Sequence, residues 1–127
     1  MENNNIFRFQ SFPVYIESRE LRKELKKLSK EKFSKEENFI LKPQLWRALD
    51  SVLLNIAEGT DRRTDKDFSH FLNTSLGSLF EVVACLDCAL DDGYIKKEEY
   101  NIYFGKADNI ARQLKAFMAK IRKDNYK

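Results

Sequence analysis

Cys85 and Cys88 stand three residues apart, the spacing of a redox or metal-binding C-x-x-C. Either chemistry needs more than the pair. A redox couple sits at a helix N-terminus, which lowers the thiol pKa, and this pair falls deep inside a helical pattern. A structural zinc site takes four ligands, and there is no second cysteine pair. His70 is the single histidine, and fifteen residues of helix put it about 22 Å from Cys85. Asp67 and His70 are spaced as in half of a carboxylate-bridged di-iron site, but that site repeats its Glu-x-x-His pair on another helix. A Gly-rich phosphate loop, a G-x-S-x-G elbow and a second histidine for a Ser–His–Asp set are all missing from the sequence. The chain is therefore expected to be no enzyme, to have no catalytic residues, metal or cofactor, and to use its cysteines as small packing groups.

Binding chemistry is better represented. Arg19, Arg22, Lys23, Lys26, Lys27 and Lys30 project onto one arc of a helix at about 100° per residue, beside an apolar seam. Glu17, Glu20, Glu24 and Glu31 fill the remaining arc. A generic solvated helix mixes its charges, so this segregation points to phosphate contacts. A second set, Gln44, Arg47, Ser51, Asn55 and Glu58, lines one edge of the next helix. Glu58 falls at a helix C-terminus, where the dipole disfavours a carboxylate, so Arg47, Arg62 or Arg63 is expected to compensate. That polar ladder either faces a partner or fixes the angle between two helices, as buried networks commonly do. A third set, Gly77, Ser78, Glu81, Ala84, Cys85 and Cys88, gives the following helix a face of small or polar groups. A mid-helix glycine costs about 1 kcal/mol relative to alanine, which suggests close approach of another backbone at Gly77.

These sets need helices to hold them, and the chain supplies four. Pro13 is a good first-turn residue, and Val14, Ser18, Leu21, Leu25 and Leu28 step by four and three to about Lys32. Residues 33–40 form the connection or the start of the second helix. The main start is placed at Pro43, because proline disfavours helix at Lys42, and Leu41, Leu45, Leu49, Val52 and Ile56 carry the seam to Glu58. Gly59 is expected to end that helix in the left-handed region, with Thr64 and Asp67 as a weak capping box for the next. The third helix spans roughly Asp65–Asp91, with Phe68, Leu72, Ser75, Leu79, Val82, Leu86 and Leu90 inward and Gly93 ending it. The fourth runs from about Lys97 to Arg122 on Tyr100, Tyr103, Ala107, Ile110, Leu114, Phe117 and Ile121. The expectation is an all-α, up-down-up-down antiparallel four-helix bundle, one domain over residues 1–127, with residues 1–12 a flexible or loosely packed lead-in.

Composition supports that class. Charged residues make up 34% and hydrophobic ones 43%, with two prolines and four glycines, so long helices fit better than many-turned sheets. No apolar run approaches the ~20 residues of a membrane span, and no signal layout opens the chain. A cytoplasmic protein with reduced cysteines is expected. The net charge of +3 is too small to demand a nucleic-acid partner. Residues 64–92 hold one lysine against six acids, and residues 93–127 nine basic groups against four acids. As consecutive helices, these segments are expected to attract. Trp46, Leu54 and Phe80 lie off the inward seams, so the second and third helices are expected to bury two faces each and the chain to form a homo-oligomer.

The stretch from Gln44 to Glu81 also carries a family pattern. Gln44, Arg47, Ala48, Ser51, Val52 and the run Asn55-Ile56-Ala57-Glu58-Gly59 are followed by Arg62 and Arg63. Phe68, Phe71, Leu72, Gly77, Ser78, Leu79 and Glu81 come next, and Ser18-Arg19-Glu20-Leu21 fits the first helix. This resembles the four-helix bundle proteins of 23S ribosomal RNA intervening sequences, relatives of the accessory protein of diversity-generating retroelements. Trp46 and Leu76 depart from it, standing where relatives often carry arginine. The resemblance implies a ring-forming pentamer and partners among RNA, DNA or a reverse transcriptase.

The functional expectation is a non-catalytic oligomeric bundle that binds nucleic acid, RNA first, as an accessory protein. Arg19, Arg22, Lys23, Lys26, Lys27 and Lys30, with Arg62 and Arg63, would supply the contacts. Gln44, Arg47, Ser51, Asn55, Glu58, Gly77, Ser78 and Glu81 would form the polar motif and assembly surface. The alternative is a structural or protein-partner scaffold without nucleic-acid binding.

Overall fold

Pro13 stands at the first position of α1 (Pro13–Lys32), whose N-terminus is entered from a short 3-10 turn at Arg8–Ser11. The computed structural model describes residues 5–125, and residues 1–4 of the expected lead-in lie outside them. A second 3-10 turn, Lys35–Phe39, leads into α2 (Leu41–Gly59), followed by α3 (Asp65–Asp91) and α4 (Lys97–Asn125). The fold is all-α, with four helices. α2 begins before Pro43, where the sequence places the start at the proline. Pro43 is the third helical residue, and first-turn N–H groups have no intrahelical acceptor to lose. The Glu37 carboxylate takes the Leu41 N–H instead, at 3.3 Å.

Each helix packs on its neighbours in sequence, and α1 closes the ring against α4; the diagonal pairs make no close backbone approach. Cross-contacts run in opposite senses along every neighbouring pair. Trp46 reaches Ser29 while Asp50 reaches Arg22. Ser75 bonds to Val52, whereas Phe68 lies by Gly59. Asp87 bonds Tyr100, and Phe68 meets Phe117. Lys106 reaches Glu24, and Gln113 reaches Glu17. All four neighbouring pairs are thus antiparallel. The seams of α1 and α2 are buried in full, and on α3 only Leu90 is half-buried. On α4, Tyr100, Tyr103 and Phe117 are half-buried at the edges of the core.

α2 and α3 approach each other most closely and α1 stands farthest off. Small residues permit the close approach, because Gly59 meets Phe68 and Ser75 meets Val52 across the α2–α3 seam. The Ser75 hydroxyl donates to the Val52 carbonyl at 2.8 Å, so burying it leaves no unpaired polar group. Gly59 is helical rather than left-handed; among the described residues only Gly93 has positive φ, at 79°. Glycine is needed at 59 for space, since a Cβ there would lie 2.9 Å from Phe68 Cδ1 and 3.0 Å from Phe71 Cβ. Thr64 caps α3 by accepting the Asp67 N–H at 3.1 Å.

Two further expectations need correction. No ion pair among the described residues joins residues 64–92 to 93–127. Lys106 turns to Glu24 of α1 and Arg112 to Asp108 of its own helix, because the inner edges of α3 and α4 are apolar and hold the charges apart. The polar seam runs between α1 and α4 instead, where Glu17 accepts from Asn109 at 2.7 Å and Gln113 at 2.9 Å. The Glu24 hydrogen bond pushes the Lys106 pKa up. In addition, α3 is long and apolar enough to cross a membrane by length and composition, with mean hydropathy 1.3, where no such stretch was expected. Its apolar surplus follows from its position, since it shares the two most extensive helix–helix packings, with α2 and with α4.

Candidate functional site

The basic arc of α1 divides into two rows. Arg22 and Lys26 turn toward α2, where the Asp50 carboxylate accepts from Arg22 Nε at 2.6 Å and from Lys26 Nζ at 3.0 Å. Burial alone would raise the Asp50 pKa, but the Arg22 and Lys26 hydrogen bonds and charges outweigh it and hold the carboxyl below its ordinary value. Lys26 and Lys30 lie over the Trp46 ring, at 4.9 and 5.4 Å from its centroid. Trp46 itself donates to Ser29 Oγ at 2.9 Å. Trp46 therefore belongs to the α1–α2 seam and does not mark an oligomer face. Its position away from the α2 core stripe is satisfied by α1 within the protomer.

The outer row is different. Arg19, Lys23 and Lys27 are exposed and have no acidic partner within ion-pair distance among the described residues. They step by four residues, about 6 Å of helix rise each. Like charges at that spacing destabilise a helix by about 0.2–0.5 kcal/mol per pair, and Glu20, Glu24 and Glu31 on the same helix offset it without forming an ion pair with the row. Arg19, Arg22 and Lys23, with Glu20, Ile16 and Leu53, line a shallow groove along the α1–α2 junction.

At the α2–α3 turn the two arginines part company. Arg62 Nη2 lies 3.9 Å from Glu58 and 3.8 Å from Asp61, and its guanidinium sits 5.1 Å from the Phe71 ring centroid. Arg62 is thus the residue that offsets Glu58 at the helix C-terminus; Arg47 and Arg63 are exposed and make no such contact. Of the polar ladder, Ser51 and Asn55 are structural. The Ser51 and Ser78 hydroxyls share a hydrogen bond of 2.7 Å across α2 and α3, and Asn55 Nδ2 donates to the Ser51 carbonyl and hydroxyl at 2.8 and 3.0 Å. Gln44, Arg47 and Glu58 remain exposed along the outer edge.

On the outward face of α3, Gly77, Glu81, Ala84 and Cys88 are exposed, and a Cβ on Gly77 would meet nothing within 4 Å. The glycine has no cause inside the protomer. Cys85 is buried, and burial first, then the Glu81 and Cys88 charges, pushes its pKa up to about 11, so it is no nucleophile at neutral pH. Among the described residues, no group of three or more His, Cys, Asp or Glu is placed to hold a metal ion.

Three features escaped the sequence patterns. Asp50 carries no seam spacing of its own, and only its helical position opposite Arg22 and Lys26 reveals it. Phe39 and Ile40 project from the second 3-10 turn, with Phe39 92% exposed. Phe80 and Phe104 flank a groove between α3 and α4; Phe80 lay off its seam, but nothing local connects it to Phe104.

Comparison with known proteins gives a consistent result. A family model described as 23S rRNA-intervening sequence protein matches residues 10–116. No curated protein matches the chain. A crystal structure of a protein of unknown function from the S23 ribosomal protein family of Bacteroides thetaiotaomicron VPI-5482 is similar, with a TM-score of 0.73. It is 23% identical and covers 83% of this chain and 97% of its own. At that identity the likeness speaks for the fold alone.

Proposed function

The chain belongs to the 23S rRNA-intervening sequence protein family, and from that premise we propose that it is a non-catalytic, oligomeric accessory protein that binds nucleic acid, RNA first, through α1. The observation that carries this reading is the outer row Arg19, Lys23 and Lys27, three exposed cations in register with no acid within ion-pair distance among the described residues. Lys30 lies over the Trp46 ring in the inner row, and Arg63 is exposed at the α2–α3 turn. Arg22, Lys26 and Arg62 are already engaged within the protomer, so they contribute field rather than direct contacts. A row of this kind contacts phosphates and reads no base edges, so binding is expected to fall steeply with salt and to show little sequence preference. An oligomer would repeat the row and multiply its avidity.

The Asp50 clamp favours a second reading, a structural or protein-partner scaffold. It shows that part of the basic arc has a packing task, holding α1 against α2. Retention of single-stranded RNA and duplex DNA over a salt series separates the two. Loss of retention in Arg19→Glu/Lys23→Glu/Lys27→Glu, with helical content unchanged, supports the nucleic-acid reading. Absence of binding by the unaltered chain at the lowest salt leaves the scaffold.

A further inference from the structure

The lead-in to α1 holds an aromatic ring in water, and short hydrogen bonds fix it there. Phe7 is 55% exposed. Its N–H donates to Asn5 Oδ1 at 2.9 Å, its carbonyl accepts the Gln10 N–H at 3.1 Å, and Asn5 Nδ2 donates to Gln10 Oε1 at 3.1 Å. The neighbouring Arg8 guanidinium lies 5.5 Å from the Phe12 ring centroid and 6.0 Å from that of Phe68, which ties the turn to α1 and α3. Phe7 meets Phe9 edge-on at 6.4 Å, and Phe9 meets Tyr15 edge-on at 4.9 Å. Phe9 and Tyr15 are half-buried, so Phe7 is the open end of the series. Tyr15 stands four residues before Arg19, one turn along the same helix face. The rings therefore lead into the row Arg19, Lys23 and Lys27.

Resting on the nucleic-acid reading above, we propose that Phe7 is a stacking platform for unpaired bases, and that the α1 surface takes single strands in preference to duplex. A line of cations follows a phosphate backbone, and an exposed aromatic at its end receives a base face; together these are the two parts of a single-strand site. Inside a duplex both faces of a base are covered by its neighbours, so only an unpaired base can lie on the ring. Charge sets the direction of the strand. Arg8 beside Phe7 and the row on α1 attract phosphates. The α2–α3 turn lies at the same end of the bundle, since Phe68 sits both under Arg8 and beside Gly59. It carries Glu58, Asp61, Asp65 and Asp67, which repel phosphates, so the strand runs from the ring along α1 toward Lys27. Every base has a π-face, so stacking adds affinity without sequence preference.

Fluorescence anisotropy of the full chain with three labelled probes tests this: oligouridylate, an abasic strand with the same number of phosphates, and an RNA duplex. The unaltered chain is expected to bind oligouridylate more tightly than either of the others at equal salt. Phe7→Ala should weaken oligouridylate binding by about fivefold or more, bringing it to the level of the abasic strand, with helical circular dichroism unchanged. Phe7→Trp should restore the preference, and its added fluorescence should be quenched by oligouridylate but not by the abasic strand. If Phe7→Ala weakens all three probes equally, or none of them, the platform is wrong while the nucleic-acid reading stands. A Phe7→Trp signal that the bases leave unchanged overturns it in the same way. Absence of binding to every probe at the lowest salt overturns both, and the exposed ring is then open to a protein partner.

Discussion

Gly59 and Phe68 approach so closely that a methyl group on the glycine would lie 2.9 Å from the ring edge. The ring cannot retreat, because it is buried and packs edge-on against Phe117 at 5.2 Å. Phe71 Cβ, at 3.0 Å, is anchored to its own backbone. Gly59→Ala is therefore expected to cost stability. Overpacking of about 1–3 kcal/mol exceeds the helix-propensity gain of about 1 kcal/mol. Urea unfolding should show a lower midpoint.

Gly77→Ala is the counterpart, with the same change in open space. Measured by urea unfolding at high dilution, so that assembly does not enter, it should raise stability by up to about 1 kcal/mol. A loss there would mean that something within the protomer occupies the space beside α3.

The helices themselves were legible in the chain. Four seams of alternating three and four steps place every helix, and the ends of α1 and α3 coincide with Pro13, Lys32, Asp65 and Asp91. What periodicity cannot carry is the identity of a partner on another helix. Glycine at 59 looks like a cap because both roles put glycine at a helix end, and only Phe68 across the turn decides between them. Trp46 looks outward on its own helix and becomes covered once α1 is in place. The six cations of α1 look equivalent on a wheel; Asp50, twenty-eight residues from Arg22, sorts them into engaged and free. The groove at Phe80 and Phe104 belongs to two helices and to neither pattern.

Asp50→Asn should loosen that sorting. The pair is 40% exposed on both sides, so the loss of stability is expected to be about 1 kcal/mol or less. Because the folded-state pKa of Asp50 is lowered, its contribution is present above the ordinary carboxyl value of about 3.9 and fades as pH falls through the folded value. The difference between the unaltered chain and Asp50→Asn in urea midpoints should accordingly vanish on acidification. At neutral pH the variant should bind RNA more tightly, since two cations are released and one repulsive carboxylate is removed.

Reversing Arg19, Lys23 and Lys27 should change the salt dependence as well as the affinity. Three lost phosphate contacts correspond to a fall of about 2 in the slope of log K against log salt on a single strand. Reversing Arg62 should move the slope less, since that arginine is held by Glu58, Asp61 and the Phe71 ring. Equal effects from both variants would show that net charge, not the row, governs binding.

The two thiols should separate cleanly. Cys88 is exposed and Cys85 buried, so a thiol reagent is expected to modify one cysteine per chain in the dissociated protomer at neutral pH, and both in denaturant. Rapid modification of Cys85 under native conditions would mean that α3 opens far more readily than its packing implies.

The uneven spacing of the four helices has a mechanical result. α1 stands farthest from the others in backbone terms, and its attachments at the rim are long side chains: Trp46 on Ser29, Asp50 on Arg22, Lys106 on Glu24. Such links shear one at a time, whereas the α2–α3 seam parts only as a block. Amide hydrogen exchange should find α1 the earliest to open, with the α2–α3–α4 remainder still protected. A polyanion laid along α1 would then act as a splint, slowing exchange in that helix alone.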